Sequence, residues 1–192
     1  MSGVEPSQVP ARGRRVLWTV AGVGVVAAAL IALFSTSQPP SSVLGSSPLL
    51  GKAAPQIAGP GLDGGHYSLS QFHGKWVLVN FMASWCPPCR AEMPELKIWQ
   101  HEHASKGDAV LLTVADDQSD VGNLRSYLRA HGAGWPAVDD PAATISYGLA
   151  GLPTSFLVAP DGTVFAYELG QVQAGNVDRW LAIGAQRGFG RA

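Results

Sequence analysis

Cys86 and Cys89 are the only cysteines in this 192-residue chain, and two prolines separate them in the stretch 77–92, VLVNFMASWCPPCRAE. Thiols at that spacing can form half of a zinc site, close a structural disulfide, or exchange electrons with other thiols and disulfides. A structural zinc site wants four ligands, and no second cysteine pair is present. The histidines His66, His73, His101, His103 and His131 include no pair at ligand spacing. His101 and His103, two apart, would point to different sides of a helix. Redox exchange is the favoured chemistry, and a purely structural disulfide stays open beside it.

Exchange needs a thiolate, and the flanking sequence predicts how one is made. Val77, Leu78, Val79, Phe81 and Met82 are apolar with little alternation, as in a strand buried on both faces, and Asn80 is its one polar interruption. Beyond Ser84 the period changes: Cys89, Met93, Leu96 and Trp99 recur at steps of four, three and three, one face of a helix. The cysteine pair therefore sits at a strand-to-helix junction. A helix's first turn leaves N–H groups unpaired and carries partial positive charge, and both favour a thiolate. Cys86 is thus the expected low-pKa nucleophile. Pro87 and Pro88 suit the first turn, and because they lack N–H groups the Cys89 N–H matters more to Cys86. Cys89, one turn on, is close enough to close a small disulfide ring and is turned inward as the resolving thiol.

The rest of the chain bounds the setting. Its length allows one ordinary domain plus an appendage. Thirteen basic residues against fourteen acidic ones give a net charge of −1, with no basic block outside the N-terminus, so nucleic-acid binding lacks an electrostatic footprint. Residues 16–34, VLWTVAGVGVVAAALIALF, carry no charge and match the length of a membrane-crossing helix. Arg12, Arg14 and Arg15 precede this run, and no Lys or Arg follows it until Lys52. The positive-inside rule then places the N-terminus in the cytoplasm and the remainder outside the cell membrane, with Trp18 at the interface. A cleaved signal peptide is the runner-up, but the run is long for one and no clear cleavage site follows. The organisation expected is a cytoplasmic tail at 1–15, a single-pass anchor at 16–34, a flexible Ser- and Pro-rich tether at 35–54 and a folded domain at 55–192. An exported cysteine pair meets an oxidising compartment, so a reducing role would need a membrane electron-transfer partner that resets it.

Within that domain, residues 56–58 and 66–69 flank the turn formers Gly61–Gly65 as a hairpin, and 71–74 can hold one helical turn. Pro94 falls inside the active-site helix, where a kink is expected. Ala109–Ala115 is a second apolar run, predicting a parallel pair with the first through a right-handed crossover. An amphipathic helix over 119–131, a short strand at 136–138 and a short helix at 142–147 follow. Residues 154–159 and 163–169 form a hairpin around Pro160-Asp161-Gly162, and a last helix over 176–187 turns Val177, Trp180, Leu181 and Gly184 inward.

NFMASWCPPCRAEMPEL, the segment GLPTSFLV at 151–158 followed by Asp161-Gly162, and the helix-bearing stretch between Ala115 and Tyr147 together resemble the membrane-anchored thioredoxin-like proteins of the TlpA/ResA/CcmG (DsbE-like) group. The likeness spans Pro55 to about Gly184. It implies an α/β thioredoxin fold, a central mixed sheet flanked by helices, with an N-terminal hairpin and a central helical insert, preceded here by the transmembrane helix. It also implies dithiol–disulfide exchange with substrate proteins, often apocytochrome c before haem attachment, without a cofactor. Cys86 matches the attacking cysteine, Cys89 the resolving one, and Trp85 the aromatic beside them. Pro94 matches the kink, and Pro153 a cis-proline facing the thiols, whose Leu152 backbone would pair with an extended substrate. Glu92 matches an acid used near the active site, positioned to exchange protons with Cys89. Thioredoxins proper carry a buried acid where this chain has Asn80, so Glu92 is the candidate for proton handling. Met82 replaces a frequent tryptophan, and GLPT in place of GAPE leans toward the ResA or general TlpA branch.

The reading is an extracytoplasmic reductant of disulfides in exported proteins. The same exchange run backwards, as a donor of disulfides, is the alternative, because over-stabilising the Cys86 thiolate makes a stronger oxidant. A non-catalytic module that docks partners at Leu152-Pro153 is the third. Peroxidase chemistry fits less well: Ala83 stands where peroxide-reducing relatives place Thr or Ser.

Overall fold

Every residue of the first apolar run is buried, as a strand covered on both faces requires. The computed structural model describes residues 47–117 and 121–189. In chain order the elements are β1 (Ala58–Pro60), β2 (His66–Ser68), a 3-10 turn (Leu69–Phe72), β3 (Trp76–Met82), α1 (Pro87–Lys106), β4 (Ala109–Ala115) and α2 (Val121–Ala130), then β5 (Ala137–Asp139), α3 (Pro141–Ser146), β6 (Thr154–Val158), β7 (Val164–Leu169) and α4 (Ala174–Gln186). The expected cytoplasmic tail and membrane span, with Trp18, lie outside the described residues, as does the tether up to residue 46.

The larger sheet has the order β5-β4-β3-β6-β7. β3, β4 and β5 run parallel, while β6 is antiparallel to β3 and to β7. This is the mixed sheet flanked by helices that the sequence implies. Alternation along β3 splits the core between the two faces. Leu78 and Met82 pack with Cys89, Met93, Leu96, Trp99 and Val177, beneath α1 and α4. Val77, Val79 and Phe81 pack with Ile57, Tyr147 and Phe156 on the other face. Trp76, Trp99 and Trp135 are buried, and Trp180 is half-buried against the first core.

Most elements lie within two residues of expectation, while the hairpin and the start of the domain are set by pairing the sequence does not show. The hairpin's first strand is Ala58–Pro60, not 56–58, because the Gly61 N–H bonds the Gly65 carbonyl at 2.8 Å and so sets where the turn closes. The hairpin then continues against β5, where the Leu62 N–H donates to the Ala137 carbonyl at 2.8 Å. The domain also begins before Pro55. The Gly51 N–H donates to Val164, the Val164 N–H to Lys52, and the Ala54 N–H to Gly162, at 2.8–2.9 Å, so residues 51–54 of the expected tether lie against the turn before β7 and its first residue. The β5 edge and the start of the β7 edge are thereby paired.

Gly184 allows α4 to settle onto the sheet. A Cβ there would stand 2.3 Å from Cη2 and 2.6 Å from Cζ2 of Trp76, whose ring is held edge-on by Phe165. Overpacking of that kind costs about 1–3 kcal/mol, so Gly184→Ala is expected to lower the urea-unfolding free energy by that amount. A variant as stable as the parent would mean that the indole moves freely.

Candidate active site

Cys86 is the N-cap of α1, in extended conformation (φ −84°, ψ 107°), with Pro87 and Pro88 opening the helix. Their missing N–H groups leave Cys89 as the near donor, and its N–H reaches Cys86 Sγ at 3.2 Å. The two cysteines form a disulfide, and both are buried. Reduction would leave the Cys86 sulfur at a helix N-terminus with this donor aimed at it, which favours the thiolate.

In front of the disulfide lies a cleft of about 400 Å³, bounded by Trp85, Pro87 and Pro88 on one side and by Leu149 to Leu152 on the other. Trp85 is 64% exposed, too open to be a core residue. The Leu152–Pro153 peptide bond is cis. Pro153 is buried and Leu152 is half-buried at the cleft wall; the Gly170 N–H donates to the Pro153 carbonyl at 2.8 Å, tying this turn to the end of β7.

Behind the disulfide lies Glu92. It is three residues beyond Cys89 and so on the same face of α1, and only 1% of it is exposed. Asn80 Nδ2 donates to its Oε1 at 2.9 Å, and the Val172 N–H to its Oε2 at 3.1 Å. Burial outweighs these two bonds and raises its pKa from 4.5 to about 7. The carboxyl is therefore poised to take or give a proton near neutral pH. A strand amide, Asn80, holds an acid supplied by the helix.

Residues 50–167 match the AhpC/TSA family. The chain belongs to the AhpC/TSA family. Over 134 residues it is 31% identical to the thiol-disulfide oxidoreductase ResA of Bacillus thuringiensis (strain Al Hakam), covering 69% of this chain and 76% of that protein. The thioredoxin-like protein YneN of Bacillus subtilis is 27% identical over the same length, covering 69% and 79%. Among solved structures, a thiol:disulfide interchange protein of the thioredoxin family from Chlorobium tepidum superposes with a TM-score of 0.59 at 30% identity, covering 68% of this chain and 94% of that one. The fold is thioredoxin-like, the relatives fit the TlpA/ResA/CcmG group, and this AhpC/TSA-family protein is a thiol-disulfide oxidoreductase.

Sequence reasoning about this AhpC/TSA chain missed Asp117. Its carboxylate is buried and accepts from the Ser84 N–H at 3.0 Å and from the Ser84 hydroxyl, fixing the segment that leads into Cys86. The available signal was a pair of acids, Asp116-Asp117, directly after an apolar strand, since the carboxyl ends of such strands are where α/β sheets build sites. It also missed Ser155, whose Oγ accepts from Asn80 Nδ2 at 3.0 Å. No sequence signal marked the Val172 N–H, which reaches Glu92 from the loop before α4.

Proposed function

We propose that this protein reduces disulfides in exported substrate proteins, apocytochrome c during cytochrome c maturation among them, from the extracytoplasmic side of the cell membrane. The observation that carries the reading is the cysteine pair at the N-terminus of α1, with the cis Leu152–Pro153 turn in front and a buried carboxyl behind. The Cys86 thiolate attacks one sulfur of a substrate disulfide, forming a mixed disulfide and releasing the other sulfur as a thiolate. The Cys89 thiol gives its proton to Glu92, and its sulfur attacks Cys86. The second substrate thiolate leaves, two electrons have passed to the substrate, and the Cys86–Cys89 disulfide remains. Trp85 and the Leu152-Pro153 edge hold an extended substrate segment across the cleft. A membrane electron-transfer partner returns the pair to the dithiol, and the segment 16–34 anchors the chain beside it.

The donor direction has one observation in its favour: the Cys89 N–H aimed at Cys86 Sγ stabilises the reduced form, which makes a stronger oxidant. The reduction potential decides between the two. Full-length protein in detergent micelles, equilibrated against glutathione or dithiothreitol, is expected at roughly −250 mV or lower, in the range of thioredoxin. A value of about −150 mV or higher would reverse the assignment and make the protein a disulfide donor. For location, a membrane-impermeant maleimide added to reductant-treated intact cells is expected to label Cys86; labelling only after lysis would overturn the extracytoplasmic placement.

A further inference from the structure

Glu168 is a third buried acid near the site, beside Glu92 and Asp117, and the exchange chemistry above makes no use of it. On β7 it stands opposite Ser155 of β6, which stands opposite Asn80 of β3. Directly opposed residues share one face of a sheet, so Asn80, Ser155 and Glu168 form a polar row through the layer covered by α1 and α4. The row is bonded at its inner end: Asn80 Nδ2 donates to Glu92 Oε1 at 2.9 Å and to Ser155 Oγ at 3.0 Å. Those bonds occupy both amide hydrogens. The Ser155 hydroxyl hydrogen is then directed elsewhere; Glu168 stands opposite Ser155 in register, and no hydrogen bond joins the two.

At the outer end Glu168 is 6% exposed, and its Oε2 has no hydrogen-bond partner among the described residues; the same holds for Asn80 Oδ1. Two orphan acceptors in one buried row signal a shortage of donors, which a proton on either carboxyl would relieve. Burial also pushes the Glu168 carboxyl above the usual range. Several charged groups on the covering helices make contacts away from the row. Glu95 accepts from the Ala174 N–H at 3.0 Å, Asp178 lies 3.0 Å from His103 Nε2, and Arg179 donates to Asn176 at 3.0 Å. Arg187 lies over the Phe165 ring, while Arg90 and Lys97 line a separate groove with Tyr127. β6, TSFLV, adds no titratable side chain.

We propose that Glu168 is a positioning residue for the Glu92 proton, the two carboxyls titrating as one coupled pair across the buried row that they share with Asn80 and Ser155. An ionised Glu168 disfavours a second negative charge in the row, so Glu92 keeps its proton to higher pH. The catalytic sense of this pairing rests on the Glu92 role proposed above, but the pairing can be read directly.

The test follows the side-chain carboxyl carbons of glutamate-labelled full-length protein by NMR across pH, in parent, Glu168→Gln and Glu168→Asp. Glu168→Gln is expected to move the Glu92 midpoint to lower pH by at least ~0.5 unit, with Glu168→Asp retaining most of the parent value. An unchanged midpoint in folded Glu168→Gln overturns the proposal. Should that variant not fold, Glu168→Val, apolar and strand-forming at a buried strand position, makes the same comparison under the same criterion. Because the readout is a midpoint, a Glu92→Gln enzyme with undiminished resolution rate would remove the catalytic role without touching this result.

Discussion

Cys86→Ser brings disulfide exchange down to the uncatalysed background, whereas Cys89→Ser retains the first attack and stalls with substrate attached. The asymmetry follows from the geometry. Cys86 caps α1, receives the Cys89 N–H and borders the cleft, whereas Cys89 is wholly buried and does not border that cleft. Only the first sulfur is positioned to meet an outside disulfide, and only the second is positioned to release it. Intact-mass analysis after mixing each variant with a disulfide-bonded substrate should find the mixed adduct on Cys86 in Cys89→Ser and nothing on Cys89 in Cys86→Ser. Equal trapping on both sulfurs would end the division of roles.

Glu92→Gln has the second-largest expected effect, and it acts in opposite directions on rate and stability. If the carboxylate takes the Cys89 proton, its loss should slow resolution of the mixed disulfide by about 10²–10⁴-fold, the usual contribution of a positioned acid or base. The pH dependence of that step, with a midpoint near the Glu92 value of about 7, should vanish. Stopped-flow release of substrate thiol across pH measures both; a variant with the parent profile would rule Glu92 out as the proton acceptor. For stability the sign runs the other way. A carboxyl whose folded pKa is raised from 4.5 to about 7 contributes stability in full below pH 4.5 and loses it as pH rises through 7. The shift corresponds to about 3 kcal/mol. At pH 8 the parent therefore carries a buried charge that Gln lacks, and Glu92→Gln should unfold at higher urea concentration there than the parent. At pH 4 the two should converge. Activity lost with stability gained is the pattern of a residue kept for chemistry.

How much of this was legible in the sequence depends on how local each signal is. The all-apolar run of β3 and the change of period at Ser84 are encoded within a few residues, so the junction that carries Cys86 and Cys89 could be read without any contact being known. The cis bond at Pro153 came only from family resemblance, since most proline bonds are trans. What escaped was set by pairing between distant segments. Asn80 meets Ser155 across 75 positions, and Val172 reaches Glu92 across 80; neither segment's periodicity records the other's register. The residues 51–54 failed for a related reason. Their Gly-Lys-Ala-Ala composition reads as linker, and only the neighbouring β7 gives their backbone groups partners.

The paired sheet edges bear on synthesis. Residues 51–68 leave the ribosome well before the backbone they pair with, in β5 and at the start of β7, which arrives some 70 to 110 positions later by the lengths in the chain. The β5 edge can close once Asp139 has emerged, but residues 51–54 have no strand to join until Val164 follows, so the nascent domain passes through a stage with one open, pairing-prone edge. A chain that stops short of Val164 would be held in that stage, with residues 51–54 unpaired and β6 left as an open edge. Such a fragment should accumulate as aggregates, not as a smaller soluble domain. Residues 51–54 thus find their partners only when β7 has been made.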